Sequence, residues 1–559
     1  MTAAAPPQVV IAPMLVALAT AIATLLARRA RRVQRALSLV GALAYAAGVA
    51  VLAGRVLGEG AVAYQLSDWP APFGITLVAD ELAVFMLGLS AVVAVAAAAF
   101  AVFYVDSVGQ RVSFHPLYHF MLVGVTGSFL TGDIFNLFVW FEVMLMPSYV
   151  FVAFYSRRQE TMAALRYVVL NLVGSAVMLL AIGGLYSTTG TLNMADMARR
   201  LADAGAYGID PAPVLGLAAL LFAVFALKAG IVPFQFWVPG AYRAAPAPIA
   251  AVLAGVTKKV GIYAIIRLYF TVFAAATVPA GAPFAAGESF LAFFGPVVFL
   301  MAAASIVLGG LAAVNQTDLD SVLGYSSIGQ VGFIILPLAL AAGTEGALQV
   351  LGVAAALVYA LNHAVAKALL FLVSGTVYDG VGSIEFADLG GLTGRAPVLS
   401  GAFLVGGLAL VGIPPLSGFF GKLLVFDTAG QSLTAGVGGG ALALAVALGG
   451  ALLTIVYVSR TWNRGFWGEE SAAVAAASRP RALVAIVALL ALLLVAIGVG
   501  FDPVYRAARA GAEAALDTQG YVDLVDPTTT SQALAEGAND STGSQEAFAA
   551  ARELLEVGR

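Results

Sequence analysis

The fold class this sequence predicts is an all-α polytopic membrane protein of about fourteen transmembrane helices, each fed by an apolar run of roughly 20 residues or more. Three observations lead there. Hydrophobic residues make up 61% of the 559 and charged residues only 11%, whereas a soluble chain usually carries about a quarter charged residues to hydrate its surface. The apolar residues gather into successive runs, from Val9–Ala27 to Ala482–Val499, each long enough to cross a hydrocarbon core of about 30 Å as a helix. The 61 glycines do not count against helices, because membrane helices tolerate Gly and Pro.

Composition also excludes chemistries. With no cysteine and three histidines, the chain offers no disulfide framework, thiolate nucleophile, iron-sulfur cluster or cysteine zinc site. A net charge of -3 provides no basic footprint for nucleic acid. No cofactor and no metal is implied, and the reading is of a transporter rather than an enzyme.

Taken in order, the first run, Val9–Ala27, has its positive cluster behind it, so it predicts a span rather than a cleaved signal peptide. Arg28, Arg29, Arg31, Arg32 and Arg35 then belong on the cytoplasmic side, which puts the N-terminus outside. Alternation brings Arg157, Arg158, Arg243, Arg395, Arg460, Arg464, Arg479 and Arg481 to that same side and leaves Arg55, Arg199 and Arg200 as exceptions. Residues 1–500 form the transmembrane domain. The polar stretch from Phe501 to Arg559 is expected to be a partly helical or disordered tail outside the membrane.

The charges inside the runs carry the functional signal. Of the 28 basic residues five are lysines, Lys228, Lys258, Lys259, Lys367 and Lys422, and all five lie within or beside apolar runs. Surface cations are almost all arginine, interior ones lysine. A lysine can give up its proton in a low-dielectric site and an arginine cannot, so this partition suits a proton relay. A lysine near a span's end can instead only snorkel to the headgroups. That reading fits Lys258 best, because adjacent helix positions point about 100° apart and one of the Lys258–Lys259 pair is expected to face the interior.

Glu142 lies between Phe138–Phe141 and Val143–Leu145 and has two readings, a neutral or paired packing group, or the partner of an intramembrane lysine, most simply Lys228. Asp133 reads as a helix N-cap. His115 and His119 could share a metal by their spacing, but with no third ligand an interfacial role is favoured. His363 and Lys367 are one turn apart and share a face, and Ser326, Ser327 and Gln330 in the preceding run are candidate water-holding partners. Two phrases, Gly230-Ile231-Val232-Pro233 and Gly412-Ile413-Pro414-Pro415, predict broken helices beside Lys228 and Lys422, one in each half of the chain, as in a repeated transporter fold.

These residues carry a resemblance. Leu130-Thr131-Gly132-Asp133-Ile134-Phe135-Asn136-Leu137-Phe138-Val139-Trp140-Phe141-Glu142-Val143-Met144, Leu227-Lys228-Ala229-Gly230 with Trp237-Val238-Pro239, and Asn362-His363-Ala364 with Lys367-Ala368-Leu369-Leu370-Phe371 resemble the antiporter-like subunits shared by Mrp-type Na+/H+ antiporters and respiratory complex I. The D-type Mrp subunits are nearest in pattern. The resemblance implies inverted five-helix repeats over spans four to eight and nine to thirteen of about fourteen, with the seventh and twelfth broken. It implies proton-translocating roles for Glu142, Lys228, Lys259, His363, Lys367 and Lys422, while Lys258 matches no family position. It implies a hetero-oligomeric complex with other antiporter subunits in a bacterial or archaeal cell membrane, exchanging H+ and Na+ across the lipid bilayer. The alternative is a proton-pumping membrane subunit of NADH:quinone oxidoreductase or a membrane-bound hydrogenase, and a different class again is a non-transporting scaffold. The absence of a long lateral helix after the last span argues against the most distal complex I type.

Overall fold

The computed structural model describes residues 7–106, 113–155, 158–278, 289–478 and 480–525; Arg157, Arg479 and the tail beyond Val525 lie outside them. Among the described residues 11 helices are long and apolar enough to cross a membrane. The helices that matter below are α1 (Ala12–Leu26), α2 (Arg31–Glu59), α3 (Glu81–Tyr104), α4 (Phe114–Leu130), α5 (Ile134–Val152), α6 (Arg158–Thr189), α7 (Met194–Ala202), α8 (Pro211–Ala229), α9 (Val238–Ala244), α10 (Ala247–Ala275), α11 (Phe290–Val314), α12 (Leu319–Ala341), α13 (Gly346–Val381), α14 (Pro397–Val411), α15 (Ser417–Thr434), α16 (Gly440–Gly465), α17 (Arg481–Val499), α18 (Phe501–Leu516) and α19 (Thr518–Val525).

One element departs from an all-α fold. Val62–Gln65 and Thr76–Ala79 pair as an antiparallel hairpin between α2 and α3. An extended stretch of four residues each way lies between the spans, where the Gly132 amide donates to the Thr76 carbonyl at 2.8 Å, and a reading built on 20-residue apolar runs passes over it.

Local chemistry sets the helix starts. Asp133 accepts from the Asn136 amide at 2.7 Å, capping α5 as expected. Asp80, Asp210, Ser289 and Asp318 do the same for α3, α8, α11 and α12. Ends are equally specific. Gly230 and Gly412 close α8 and α14 in left-handed geometry (φ 69° and 93°), which costs a glycine nothing and other residues about 1 kcal/mol or more.

Burial sorts the helices into layers. α10 is buried along its length, and α12 and α13 nearly so, while α2, α6, α11, α16 and α17 keep most of their apolar surface outward. The outward set is dressed for lipid, with Leu180, Leu300, Leu452 and Leu489 among its exposed side chains. The inward set is therefore the place for polar groups that lipid would not accept. Small residues bring backbones close there: a Cβ on Gly261 of α10 would lie 2.7 Å from the Phe225 carbonyl of α8, and one on Gly418 of α15 would run into the Ala409 carbonyl of α14.

The segment after α17 does not hang free over its described part. α18 buries Ala508, Ala512 and Ala515, Gly511 packs against Glu81 and Leu82 of α3 and Leu357 of α13, and Thr271 of α10 donates to the Ala515 carbonyl at 2.7 Å.

The α14–α15 approach makes a stability prediction. Gly418→Ala should cost about 1–3 kcal/mol through overpacking and lower the melting temperature of detergent-solubilised protein. Gly449→Ala, on an open face of α16, should leave it unchanged.

Candidate functional site

Every lysine in the chain is buried: Lys228 and Lys422 are 4% and 3% exposed, and Lys258, Lys259 and Lys367 not at all. Snorkelling is thereby excluded for the described conformation, since a snorkelling ammonium reaches the surface. Among the described residues none of them is ion-paired with a carboxylate. Each instead finds neutral oxygens.

At one end, Lys228 in the last turn of α8 donates to Asn171 Oδ1 at 3.0 Å and lies 5.7 Å from the Phe141 ring centroid. Glu142, half-buried on α5, accepts a short hydrogen bond from Ser175. The expected direct Glu142–Lys228 pair is thus corrected to an indirect one. Asn171 and Ser175 are one turn apart on α6, so that helix presents one polar residue to each charge. Sequence reasoning missed both. Their signal was the stripe Tyr167, Asn171, Ser175 at i, i+4, i+8 in an otherwise apolar span, extended by the Tyr167–Ser148 hydroxyl contact at 3.0 Å.

The break after α8 leaves carbonyls without helical partners. Trp237 Nε1 donates to the Leu227 carbonyl at 2.8 Å, and the Val232 amide finds Ser305 Oγ at 3.0 Å. Lys258 lies against this break, since a Cβ on Gly230 would sit 3.1 Å from its Nζ.

The centre is a cluster on α10, α12 and α13. Lys259 makes a short contact with His363 Nδ1 and donates to the Ala254 carbonyl at 2.9 Å. His363 Nε2 lies 3.2 Å from Ser327 Oγ, and Lys258 Nζ lies 3.4 Å from that same hydroxyl. The expectation that only one of the adjacent lysines faces the interior is therefore wrong. The 100° between them would have sent one to lipid on a peripheral helix, but α10 has protein on every side. A π-helical turn over Leu253–Thr257 immediately precedes the pair, a distortion that frees carbonyls and recurs at functional positions.

From there the stripe continues both ways. Lys367 donates to Ser326 Oγ at 2.5 Å and to the Leu323 carbonyl at 3.0 Å. Gln330 donates to Tyr457 at 2.8 Å and Thr454 at 3.1 Å, and Tyr359, one turn from His363, donates to the Gln330 carbonyl oxygen. Lys422, on the second broken element, donates to the Val411 carbonyl at 3.1 Å and stands 4.9 Å from the Phe333 ring centroid. It caps the carbonyl that the Gly412 break frees.

One further group corrects the sequence reading. Arg267, 1% exposed in α10, is an interior arginine, so lysine is not the cation at every interior position. Asp80 binds it at 2.5 Å and the Tyr521 ring lies 4.8 Å from its guanidinium carbon, so this charge is permanent and neutralised. The pattern Lys259, Tyr263, Arg267 puts it on the lysine face, two turns away. His115 and His119, in the first turns of α4, are fully buried: Ser38 bridges them at 2.9 and 3.0 Å, tying α2 to α4. Among the described residues no three metal-binding side chains come together.

Residues 131–437, which hold the whole cluster, match the family model for the transmembrane part of NADH:quinone oxidoreductase and Mrp antiporters. The chain belongs to that family. It is 34% identical over 498 residues to the D-type subunit of a Na(+)/H(+) antiporter of Alkalihalophilus pseudofirmus, covering 89% of this chain and 94% of that one. It is also 36% identical over 487 residues to the N-type subunit of the NADH-quinone oxidoreductase of Desulforudis audaxviator, covering 86% and 90%. Among solved structures it superposes on a chain of the Mrp complex from Dietzia sp. DQ12-45-1b with a TM-score of 0.80 and 26% identity, over 94% of this chain and all of that one.

The buried ion pair yields a test. Asp80→Asn keeps the α3 cap but strands the Arg267 charge, and should destabilise the protein by about 3–5 kcal/mol, read as a lowered melting temperature in detergent. Adding Arg267→Met should recover much of the loss, because a pair replaced by apolar groups is nearly neutral.

Proposed function

We propose that the chain is the proton-translocating subunit of a multi-subunit Na+/H+ antiporter, and that Glu142, Lys228, Lys258, Lys259, His363, Lys367 and Lys422 pass protons along the middle of the membrane. The observation that carries this is the buried row itself. Five lysines are held by uncharged oxygens and one imidazole, with no fixed counter-ion among the described residues, in a family whose named relatives include antiporter subunits.

An ammonium bound only by neutral acceptors is costly in a low-dielectric interior, so it releases its proton readily when a neighbour gains charge. At the centre, Lys259, His363, Ser327 and Lys258 form one hydrogen-bonded chain whose two ends are both proton carriers. A proton arriving on Lys367 raises the cost of charge on Lys259, and the excess moves toward Lys258 and Lys228. There the Glu142 carboxylate, anchored on Ser175, holds or releases the last charge. The scale is sufficient, since one charge crossing 100 mV is worth about 2.3 kcal/mol, between one and two pKa units.

The same reading takes the chain to have about fourteen spans, with α8–α9 and α14–α15 as broken helices and α4–α10 and α11–α16 as inverted repeats. The pairing of Asp133 with Asn193 and of Asp318 with Glu385 at equivalent places in the two halves supports the repeat. Residues 1–500 are taken as the membrane domain and the arginine-bearing end, with Arg158, Arg243 and Arg395, as cytoplasmic, which puts both termini outside. Sodium is assigned to the complex, whose other subunits would be partners of this chain. The second reading, a proton-pumping subunit of a redox complex, is favoured by the 36% identity to the NADH-quinone oxidoreductase relative and uses the same row.

Glu142→Ala, Lys228→Ala and Lys258→Ala should each reduce sodium-dependent dequenching of a pH-sensitive dye in inverted vesicles by tenfold or more, with the complex still assembled. Normal exchange in all three assembled variants would leave the scaffold reading. Proton movement that needs a quinone reductant rather than sodium would favour the redox one.

A further inference from the structure

A cavity of about 890 Å3 opens among the ends of α3, α6, α9, α12 and α13, at the arginine-bearing end. Arg158, Arg166 and Arg243 stand among its walls, and Asp320, Tyr325 and Ser374 line it from α12 and α13. Asp320 stands apart from the lysine row, and Ser374 donates to its Oδ1 at 2.6 Å.

The two helices carry matched polar faces inward from that point. On α12, Asp320, Leu323 and Ser327 follow at i, i+3 and i+7, which is one face of a helix; on α13, Ser374, Lys367 and His363 are spaced by seven and four and also share a face. The Leu323 carbonyl that accepts from Lys367 is one turn, about 4.5 Å along the axis, beyond Asp320. We infer that the cavity is the proton entrance of this subunit and Asp320 its collecting group, which hands protons to Lys367. This rests on the proton-translocating role argued above.

The step balances. The Asp320 carboxylate takes a proton from cavity water in exchange with bulk solvent. The carboxylic O–H then breaks as, at the far end of a chain of waters that each pass one proton on, an N–H forms on the neutral Lys367 amine. An ammonium is left on Lys367 and the carboxylate is restored. Ser374 already donates to that carboxylate and fixes its position on the cavity wall.

The sequence has no cysteine, so a single thiol reports access without further changes to this chain. In the assembled complex, Asp320→Asn should cut exchange at least tenfold while the melting temperature stays within a few degrees, and Asp320→Glu should keep most of the activity. In Ser374→Cys complexes a membrane-impermeant cationic methanethiosulfonate should block exchange when applied to the arginine-bearing side and do nothing from the other, with the unsubstituted complex unaffected. Wild-type exchange in Asp320→Asn, or a thiol at 374 that reacts only from the opposite side or from neither, would overturn the entrance. If Lys228→Ala is inactive while Asp320→Asn is normal, only the entrance falls. Normal exchange in both removes the relay as well.

Discussion

An ammonium group removed from water needs oxygen atoms within about 3 Å, and in hydrocarbon only the protein can provide them. That requirement explains why this bundle departs from regular helices where it does. Lys259 is met by the carbonyl of Ala254, inside a π-helical turn, and Lys422 by that of Val411, just before the Gly412 break. Lys228 sits two residues before the left-handed turn at Gly230, and Lys258 lies against that glycine. The distortions free acceptors and the lysines use them, so neither would be stable in this interior without the other.

What the acceptors are matters as much as their presence. Arg267 is bound to Asp80 and stays charged whatever happens around it. The lysines are bound to a carboxamide, two hydroxyls, an imidazole and backbone carbonyls, none of which carries a fixed negative charge. Their charge state therefore answers to one another. The separate anchoring of Lys228 on Asn171 and of Glu142 on Ser175 belongs to the same logic, because a direct buried pair would lock the lysine's proton in place.

The broad fold was legible because apolar runs and glycine-proline breaks are local signals. α17 falls within a residue of the run Ala482–Val499 that announced it, and both breaks stand where Gly230 and Gly412 put them. The row of lysines was legible for a related reason: a charge in an apolar run is rare enough to be read alone. What could not be read was which faces meet. Lys258 was discounted on an angle that holds for a helix with one wet or lipid side, and only packing tells that α10 has none. Asn171, Ser175 and Ser327 are uncharged and common, and they acquire meaning only through the ammonium, carboxylate or imidazole opposite. Arg267 reads as one more arginine until the fold brings Asp80, far away in sequence, beside it. Asp320 opens its helix as an ordinary first-turn acid would, and the cavity it faces is assembled from five helices.

The central claim is that these lysines work by losing their protons, and the residue that separates charge from proton release is arginine. Replacing Lys259 by arginine keeps a cation beside His363 but removes its ability to deprotonate. Sodium-driven proton movement measured in vesicles carrying the assembled Lys259→Arg complex should fall by tenfold or more, close to the Lys259→Ala level. Exchange at the wild-type rate would contradict the relay and leave these lysines as structural charges.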